Sequence, residues 1–469
     1  MLDIKRIYTA FVIGCILFSY SIQPLSENHV HAQIVDKNFP YSPHNPIIIN
    51  SSSDFTLANG VTEGDGTKDN PWRIENLTIN CTGYDYGILI FYTNDYVIIN
   101  NCHLFSESET QYEDRYGINY RIGIFIGLVA NVRIENTTIE DKFHSGIKID
   151  VSENIKVANN IVSGQQIGLS MSASSTVLIS NNTFTLNDAE DVMINNCEDI
   201  MFASNNLSSG ILIYASLIRY SNNLNIDTTN KINGKTVYYL KNLERSFIPS
   251  NAGQVILANC REISVSNLNL TGKYGVQLLF SNNNIIKSNT LSHMEFALLI
   301  KNSNNNTIYG NIFNNNTRGI SLSESSNNTF YRNFFINNTR HAFDIGANHW
   351  DNGSEGNYWD DYTGADENND GIGDMPYSIW GGVNMDRYPI VQPVDDEIVK
   401  PEKQTGFWLM LIALAAIIAG VVFILACTRR KRTEKKEGYV TSGIPRNMNG
   451  EIEGTNTSDD KATIGEQHE

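Results

Sequence analysis

The stretch NNTFYRNFFINNTR, residues 327–340, decides the fold. It sets Asn pairs ahead of Thr and fills the intervals with aromatic and aliphatic residues. Asn-x-Thr is a glycan acceptor sequence. Asn also tolerates the left-handed backbone and hydrogen-bonds its own turn, so the same pairs read as corners of a repeating chain. Working outward separates the two readings. A unit opening with a small or polar residue followed by an aliphatic one starts at Gly123, Gly146, Gly168, Asp191, Gly210, Gln254, Gly275, Ala297 and Gly319, mostly at steps of 22 or 23 residues.

One residue past each start lie Ile124, Ile147, Leu169, Val192, Ile211, Val255, Val276, Leu298 and Ile320. Three past lie Ile126, Ile149, Met171, Ile194, Ile213, Leu257, Leu278, Ile300 and Leu322. Sixteen past lie Ile139, Val162, Phe184, Leu207, Ile226, Leu270, Leu291, Phe313 and Phe335. The position eleven past is apolar in every unit except at Ser221. Alternation of this kind marks a strand with one face toward a core. The unit is too short for a strand–helix–strand crossover. Stacked coils of short parallel strands satisfy it, because each coil buries its apolar side chains only against its neighbours. The expected class is all-β, a parallel β-helix of about 22-residue coils. Asn136, Asn159, Asn181, Asn205, Asn223, Asn267, Asn289, Asn311 and Asn333 then become turn residues whose side chains ladder between rungs. Residues two and four past each start, among them Lys148, Asp150, Ile256, Ala258, Gln277 and Leu279, face solvent. The stretch 227–254 interrupts the stack, with a tight hairpin at Asn233-Gly234.

The termini read differently. Lys5 and Arg6, the apolar run Ile7–Ile22 and VHA at 30–32 form a signal peptide, 1–32. The uncharged run FWLMLIALAAIIAGVVFILA, 407–426, spans roughly 30 Å, and RRKR follows at 429–432. This predicts a single transmembrane helix, 407–427, with the preceding chain outside the plasma membrane and a disordered cytoplasmic tail, 428–469. Between them lie the β-helix (33–345), an aromatic, calcium-loop cap (346–391) and a polar linker (392–406). The net charge is −17. The tail balances its own charges, so the deficit belongs to the exterior and argues against nucleic acid as a partner. Cys81, Cys102, Cys197 and Cys260 have no metal spacing; the compartment permits a disulfide.

The repeat text GILIFYTNDYVIINN (87–101) and GISLSESSNNTFYRNFFINN (319–338) resembles the right-handed parallel β-helix of the NosD-like family, grouped with carbohydrate-binding and sugar-hydrolysis domains. GDGTKDNPWRI (64–74) resembles its first coil. NGKTVYYLKN (233–242), AGQVILANCREISVSNLNL (252–270) and GNYWDDYTGADENNDGIGDMPYSI (356–379) resemble segments of archaeal, membrane-anchored members. The likeness covers about 45–390. It implies the handedness, and a glycan-related role on the cell surface; members accompanying nitrous oxide reductase are linked to copper-centre maturation. The external His44, His103, His144, His293, His341 and His349 are scattered and form no His/Met cluster, which argues against copper.

The sharpest chemical motif is DENNDGIGD, 366–374. Asp366, Asn368 and Asp370 alternate, Gly371 permits a sharp turn, the carbonyl of Ile372 is a further ligand, and Asp374 follows. This is the first part of an oxygen-rich calcium loop. Tyr377 stands where an EF-hand would place its bidentate Glu. Calcium is the expected cofactor; a solvated acidic turn is the alternative. Trp350, Tyr358, Trp359, Tyr362, Tyr377 and Trp380 crowd around the loop. They read as an aromatic cap over the open end of the stack, or as a sugar platform of Trp350, Tyr358 and Trp359 joined by Arg318 and Arg340. Asn76, Asn136, Asn315 and Asn337 are candidate glycosylation sites. Two carboxylates placed for glycoside hydrolysis are not visible, so the residues favour binding of a polysaccharide or surface glycan, or an envelope structural or adhesion role, over turnover. The alternatives are a lyase, hydrolase or epimerase acting on polysaccharide, and a copper-handling accessory protein.

Overall fold

The computed structural model describes residues 41–107 and 121–392. The signal peptide, the linker beyond Gln392, the transmembrane helix and the tail lie outside the described residues. No helix among the described residues is long and apolar enough to cross a membrane. The chain is a parallel β-helix of about 12 turns. Successive coils pair in the expected register: Ile124, Ile147, Leu169, Val192 and Ile211 lie side by side, as do Val255, Val276, Leu298 and Ile320. These side chains are buried almost completely. Each adds about 1.5–3 kcal/mol relative to exposure, but only when the coil above and the coil below are present.

Each corner divides two tasks between neighbouring positions, filled by an Asn pair at 159–160, 181–182, 327–328 and 337–338 and by Ser204, Ser288, Gly310 or Arg332 ahead of a single inward Asn elsewhere. The first residue of a pair adopts the left-handed backbone, as at Asn159, Asn181, Asn327 and Asn337 (φ 59°, 56°, 58° and 51°). The second turns inward. Asn160, Asn182, Asn205 and Asn230 form one ladder of Nδ2–Oδ1 bonds, each 3.0 Å. Asn289, Asn311, Asn333 and Asn357 form another, each 2.9 Å. Each amide also serves backbone groups at the corner, where the strand ladder is broken; Asn333 Nδ2 donates to Ile308 O at 2.9 Å, for example. Buried peptide groups need such partners. Of the nine expected ladder residues, Asn205, Asn289, Asn311 and Asn333 stand in the ladders, Asn136, Asn159, Asn181 and Asn267 take the left-handed corner, and Asn223 does neither. It ends a short helix, Ile218–Asn222, with φ −89°.

That helix also explains the single polar break in the repeat. It stores extra residues, so Ile226 pairs with Phe202, and Ile232 with Leu207. Ile226 therefore occupies the position eleven past the start, and Ile232 takes the position sequence spacing assigned to Ile226. Ser221 lies within the helix.

The stretch 227–254 is a joint rather than an interruption. Lys231–Ile232 turns back antiparallel on Lys235–Lys241 through Asn233 and Gly234 (φ 48° and 81°). Lys235–Lys241 then pairs in parallel with Ala252–Ala258. One fourteen-stranded sheet thus runs through two stacks whose strands point in opposite directions. Each stack has its own apolar core. The outward face of the second stack's first strands packs on the last coil of the first, where Ile256 and Leu279 join the earlier core. Ile256, Ala258, Gln277 and Leu279, expected at the surface, are therefore buried. Gln254 accepts from Ile211 N (3.0 Å) and donates to Ile211 O (2.7 Å). Gln277 accepts from Ile213 N (3.1 Å) and donates to Ile211 O (2.6 Å). The two side-chain amides stand in for the strand that the edge of the seven-stranded sheet lacks.

Candidate functional site

The last coils and the segment after them form two open, adjoining clefts. Trp350 stacks on Phe330 at 4.2 Å, Trp359 on Phe335 at 4.2 Å, and Tyr377 on Trp359 at 4.3 Å. Trp350 and Trp359 are 0% and 1% exposed. Their ring faces are occupied, so they are not the sugar platform that was the second reading of the sequence. Their indole N–H groups donate to Asp344 and Asp386, each at 2.9 Å. Burial pushes Asp386 up to about 6, against the opposing pull of N–H bonds from Trp359, Asn357 and Tyr388. Tyr358 is half-buried beside Phe334, with ring centroids 6.0 Å apart.

Within this aromatic cluster Trp380 is the exposed member, at 56%. The Arg340 guanidinium lies over its ring, 3.4 Å from the centroid. One coil away, Arg318 lies over Phe296 at 4.4 Å. Phe296, Arg318 and Arg340 occupy one register row on adjacent strands. A cleft of about 320 Å³ is lined by Thr339, Arg340, His341, Asp361, Tyr377, Ser378 and Trp380. A second, of about 490 Å³, continues over Tyr362, Thr363, Gly364, Met375 and Pro376 and shares Asp361, Tyr377 and Ser378. The sequence joins Arg318 and Arg340 to Trp350, Tyr358 and Trp359 rather than to Trp380, whose neighbour in space comes from a strand forty residues earlier.

His341 sits on the floor of this cleft. Its Nε2 lies 2.9 Å from Asp360 and 3.3 Å from Asp361. Among the described residues, these three are the His, Cys, Asp or Glu side chains close enough to share an ion. The Asn ladder fixes the ring's proton. Asn338 Oδ1 accepts from Asn316 N and Nδ2 (3.0 and 2.9 Å), and its Nδ2 donates to Phe313 O (2.8 Å) and reaches His341 Nδ1 (3.2 Å). His341 Nδ1 is therefore an acceptor, and Nε2 carries the hydrogen toward the carboxylates. A metal on Nε2 would move that hydrogen to Nδ1, against the Asn338 N–H. The donor set is one imidazole and two hard carboxylates, without the thiolate or thioether that selects Cu(I).

In the 366–374 loop, Asp366 accepts from Asp370 N (3.1 Å) and Gly371 N (2.9 Å), Asn368 from Asp370 N (3.0 Å), Asp370 from Ile372 N (2.8 Å), and Asp374 from Glu367 N (2.8 Å). The carboxylates order the turn, and Asn369 and Gly371 take positive φ. Asp366, Asp370 and Asp374 do not come close enough to one another to join the ion-sharing group. Asn76, Asn136, Asn315 and Asn337 are exposed at left-handed corners; Asn136 Nδ2 donates to Asn100 at 2.8 Å. Burial pushes the Cys81 and Cys197 thiols up to about 12 and Cys102 up to about 11. The four described cysteines are free.

The joint brings together a group that spacing within one repeat does not reveal. Tyr274 donates to Glu190 across the two stacks at 2.6 Å. Burial, and then the Glu295 charge, push Glu190 above the usual carboxylate range, with the Tyr274 bond opposing. Glu295 Oε1 is buried without a hydrogen-bond partner.

The family model described as "Periplasmic copper-binding protein (NosD)" matches residues 76–251 and 216–364, more than half of the chain. The chain belongs to the NosD family. The two matched ranges of this NosD-family chain overlap across the joint between its stacks. No curated protein matches it. Among solved structures, a periplasmic alginate epimerase, AlgG, is similar at 14% identity and TM-score 0.28, covering 59% of this chain and 63% of its own. The DFA-IIIase of Arthrobacter chlorophenolicus A6 gives 13% and 0.29, covering 66% and 72%. PfbA, a surface adhesin of Streptococcus pneumoniae, gives 13% and 0.28, covering 67% and 86%. The NosD-family chain thus spans less than two thirds of the epimerase's length.

Proposed function

We propose that this NosD-family chain is a cell-surface protein, anchored once in the plasma membrane through 407–427, whose last coils bind a polysaccharide or surface glycan without turning it over. The observation that carries this reading is the open double cleft. It sets an exposed Trp380 beside hydroxyl, amide and charged groups, the mixture that holds a sugar by ring contact and hydrogen bonds. Residues 346–391 cap the stack, and the 366–374 loop binds calcium through Asp366, Asn368, Asp370, the Ile372 carbonyl and Asp374, steadying one wall. The alternation of Asp366, Asn368 and Asp370 ahead of Gly371 supports that role. The donors around His341 do not favour a copper-handling role.

A second reading, a polysaccharide-active enzyme, draws on Glu190, Tyr274 and Glu295 at the joint. A carboxyl with a raised pKa beside a phenol is an acid–base arrangement. One experiment separates the two. The protein is incubated with a panel of acidic and neutral polysaccharides, with calcium or chelator, and both retention and products are recorded. Retention without products supports the binding reading. New reducing ends, unsaturated products or altered uronate stereochemistry, lost in Glu190→Gln, replace it with the enzyme. Neither retention nor products on any polymer removes both.

A further inference from the structure

Seven described arginines, Arg73, Arg133, Arg219, Arg245, Arg261, Arg332 and Arg387, each meet a carboxylate at 2.5–3.0 Å. Arg318 and Arg340 meet none among the described residues, in a chain of net charge −17. They also stand opposite each other on adjacent strands, where like charges are destabilising. Burial, and then the Arg318 charge, make it harder for Arg340 to stay protonated.

Each guanidinium lies against an aromatic ring, Arg318 on Phe296 and Arg340 on Trp380. A guanidinium held this way keeps its in-plane N–H groups free for a bidentate acid. Of the nearby carboxylates, Asp361 is engaged with His341 and Tyr377 and Glu190 with Tyr274, while Glu295, whose main-chain carbonyl accepts from Arg318 N, has a buried Oε1 that meets neither guanidinium.

We infer that Arg318 and Arg340 form a two-point clamp for acid groups on successive units of an anionic polysaccharide, one acid at each guanidinium. Strand spacing sets the two points about 4.8 Å apart along the rod. The acid groups supply the charge that the pair lacks. This inference rests on the glycan reading above and names its ligand class.

The test measures retention of the full-length protein on a neutral glucan and on its C6-oxidised polyuronate, at low and high salt. The variants are Arg318→Gln, Arg340→Gln, the double variant, and Arg332→Gln as a control whose arginine already pairs with Glu355. The polyuronate should be held about a hundredfold more tightly than the glucan, with each clamp variant losing about tenfold, as for loss of a charged hydrogen bond. The double variant should fall to the glucan level, Arg332→Gln should change nothing, and high salt should weaken polyuronate retention. Equal retention of both polymers, insensitive to the two arginines, would overturn the clamp while leaving the glycan reading intact. Retention of neither would remove the glycan reading and the clamp together. Competition by uronic acid monomer or inorganic sulfate as effective per acid group as the polymer would reduce the pair to a single-anion site and overturn the two-point assignment.

Discussion

Asn311→Ala removes one rung from the middle of an Asn ladder. Asn311 is fully buried. Its Nδ2 donates to Ile286 O (2.9 Å), Tyr309 O (3.2 Å) and Asn333 Oδ1 (2.9 Å). Its Oδ1 accepts from Asn289 N (3.0 Å) and Asn289 Nδ2 (2.9 Å). Asn333 Oδ1 keeps the Asn311 backbone N–H, but the Asn289 peptide N–H loses its acceptor inside the corner. A buried unsatisfied donor costs about 1–3 kcal/mol, and each of the other lost bonds about 1 kcal/mol net. Together these sum to about 5–7 kcal/mol. Asn315→Ala is the matched control at an exposed corner with φ 54°. It costs only the left-handed strain, about 1–2 kcal/mol, and Asn315→Gly removes that strain. Urea unfolding followed by circular dichroism measures all three. Equal losses for Asn311→Ala and Asn315→Ala would refute the view that the inward amides, rather than the turn geometry, hold the corners.

Gln277→Leu leaves the Ile213 N–H without its acceptor at the joint. Hydrogen exchange should speed up at Ile211–Tyr214 while the middle coils of either stack stay protected. Asp386 is raised from 3.8 to about 6, so the folded state binds its proton more tightly than the unfolded chain. Its contribution is complete below about pH 4 and is lost as pH rises to about 6, a change of about 3 kcal/mol; thermal unfolding across that range should show the slope, and Asp386→Asn should abolish it. Calcium should raise the melting temperature of the wild-type protein, with no rise in the Asp366→Asn/Asp370→Asn variant, as read by calorimetry with and without chelator.

The coil period was legible because each unit repeats one burial problem, and a stack solves it the same way every time. Ile124 over Ile147 over Leu169 follows from spacing alone. The joint was not legible on that basis. Gln277 looks like a surface position and Gln254 like the start of a unit, and only the meeting of two stacks makes them substitutes for a strand. The helix Ile218–Asn222 likewise hid behind a single polar exception. At the candidate site, the aromatic cluster and the arginine pair stood out in the sequence. Which tryptophan remains exposed did not, because Trp350 and Trp359 lose their faces to Phe330 and Phe335, which belong to earlier coils. His341 gains Asp360 and Asp361 in the same way, through the chain's return over the last coil.

The most direct test of the account is hydrogen exchange of the protein with and without a retained polysaccharide. The account predicts new protection at residues 338–342 and 377–380, around Arg340 and Trp380, with little change on the first stack. Protection confined to the joint around Glu190 and Tyr274, or no protection in the presence of a polymer that is retained, would contradict it.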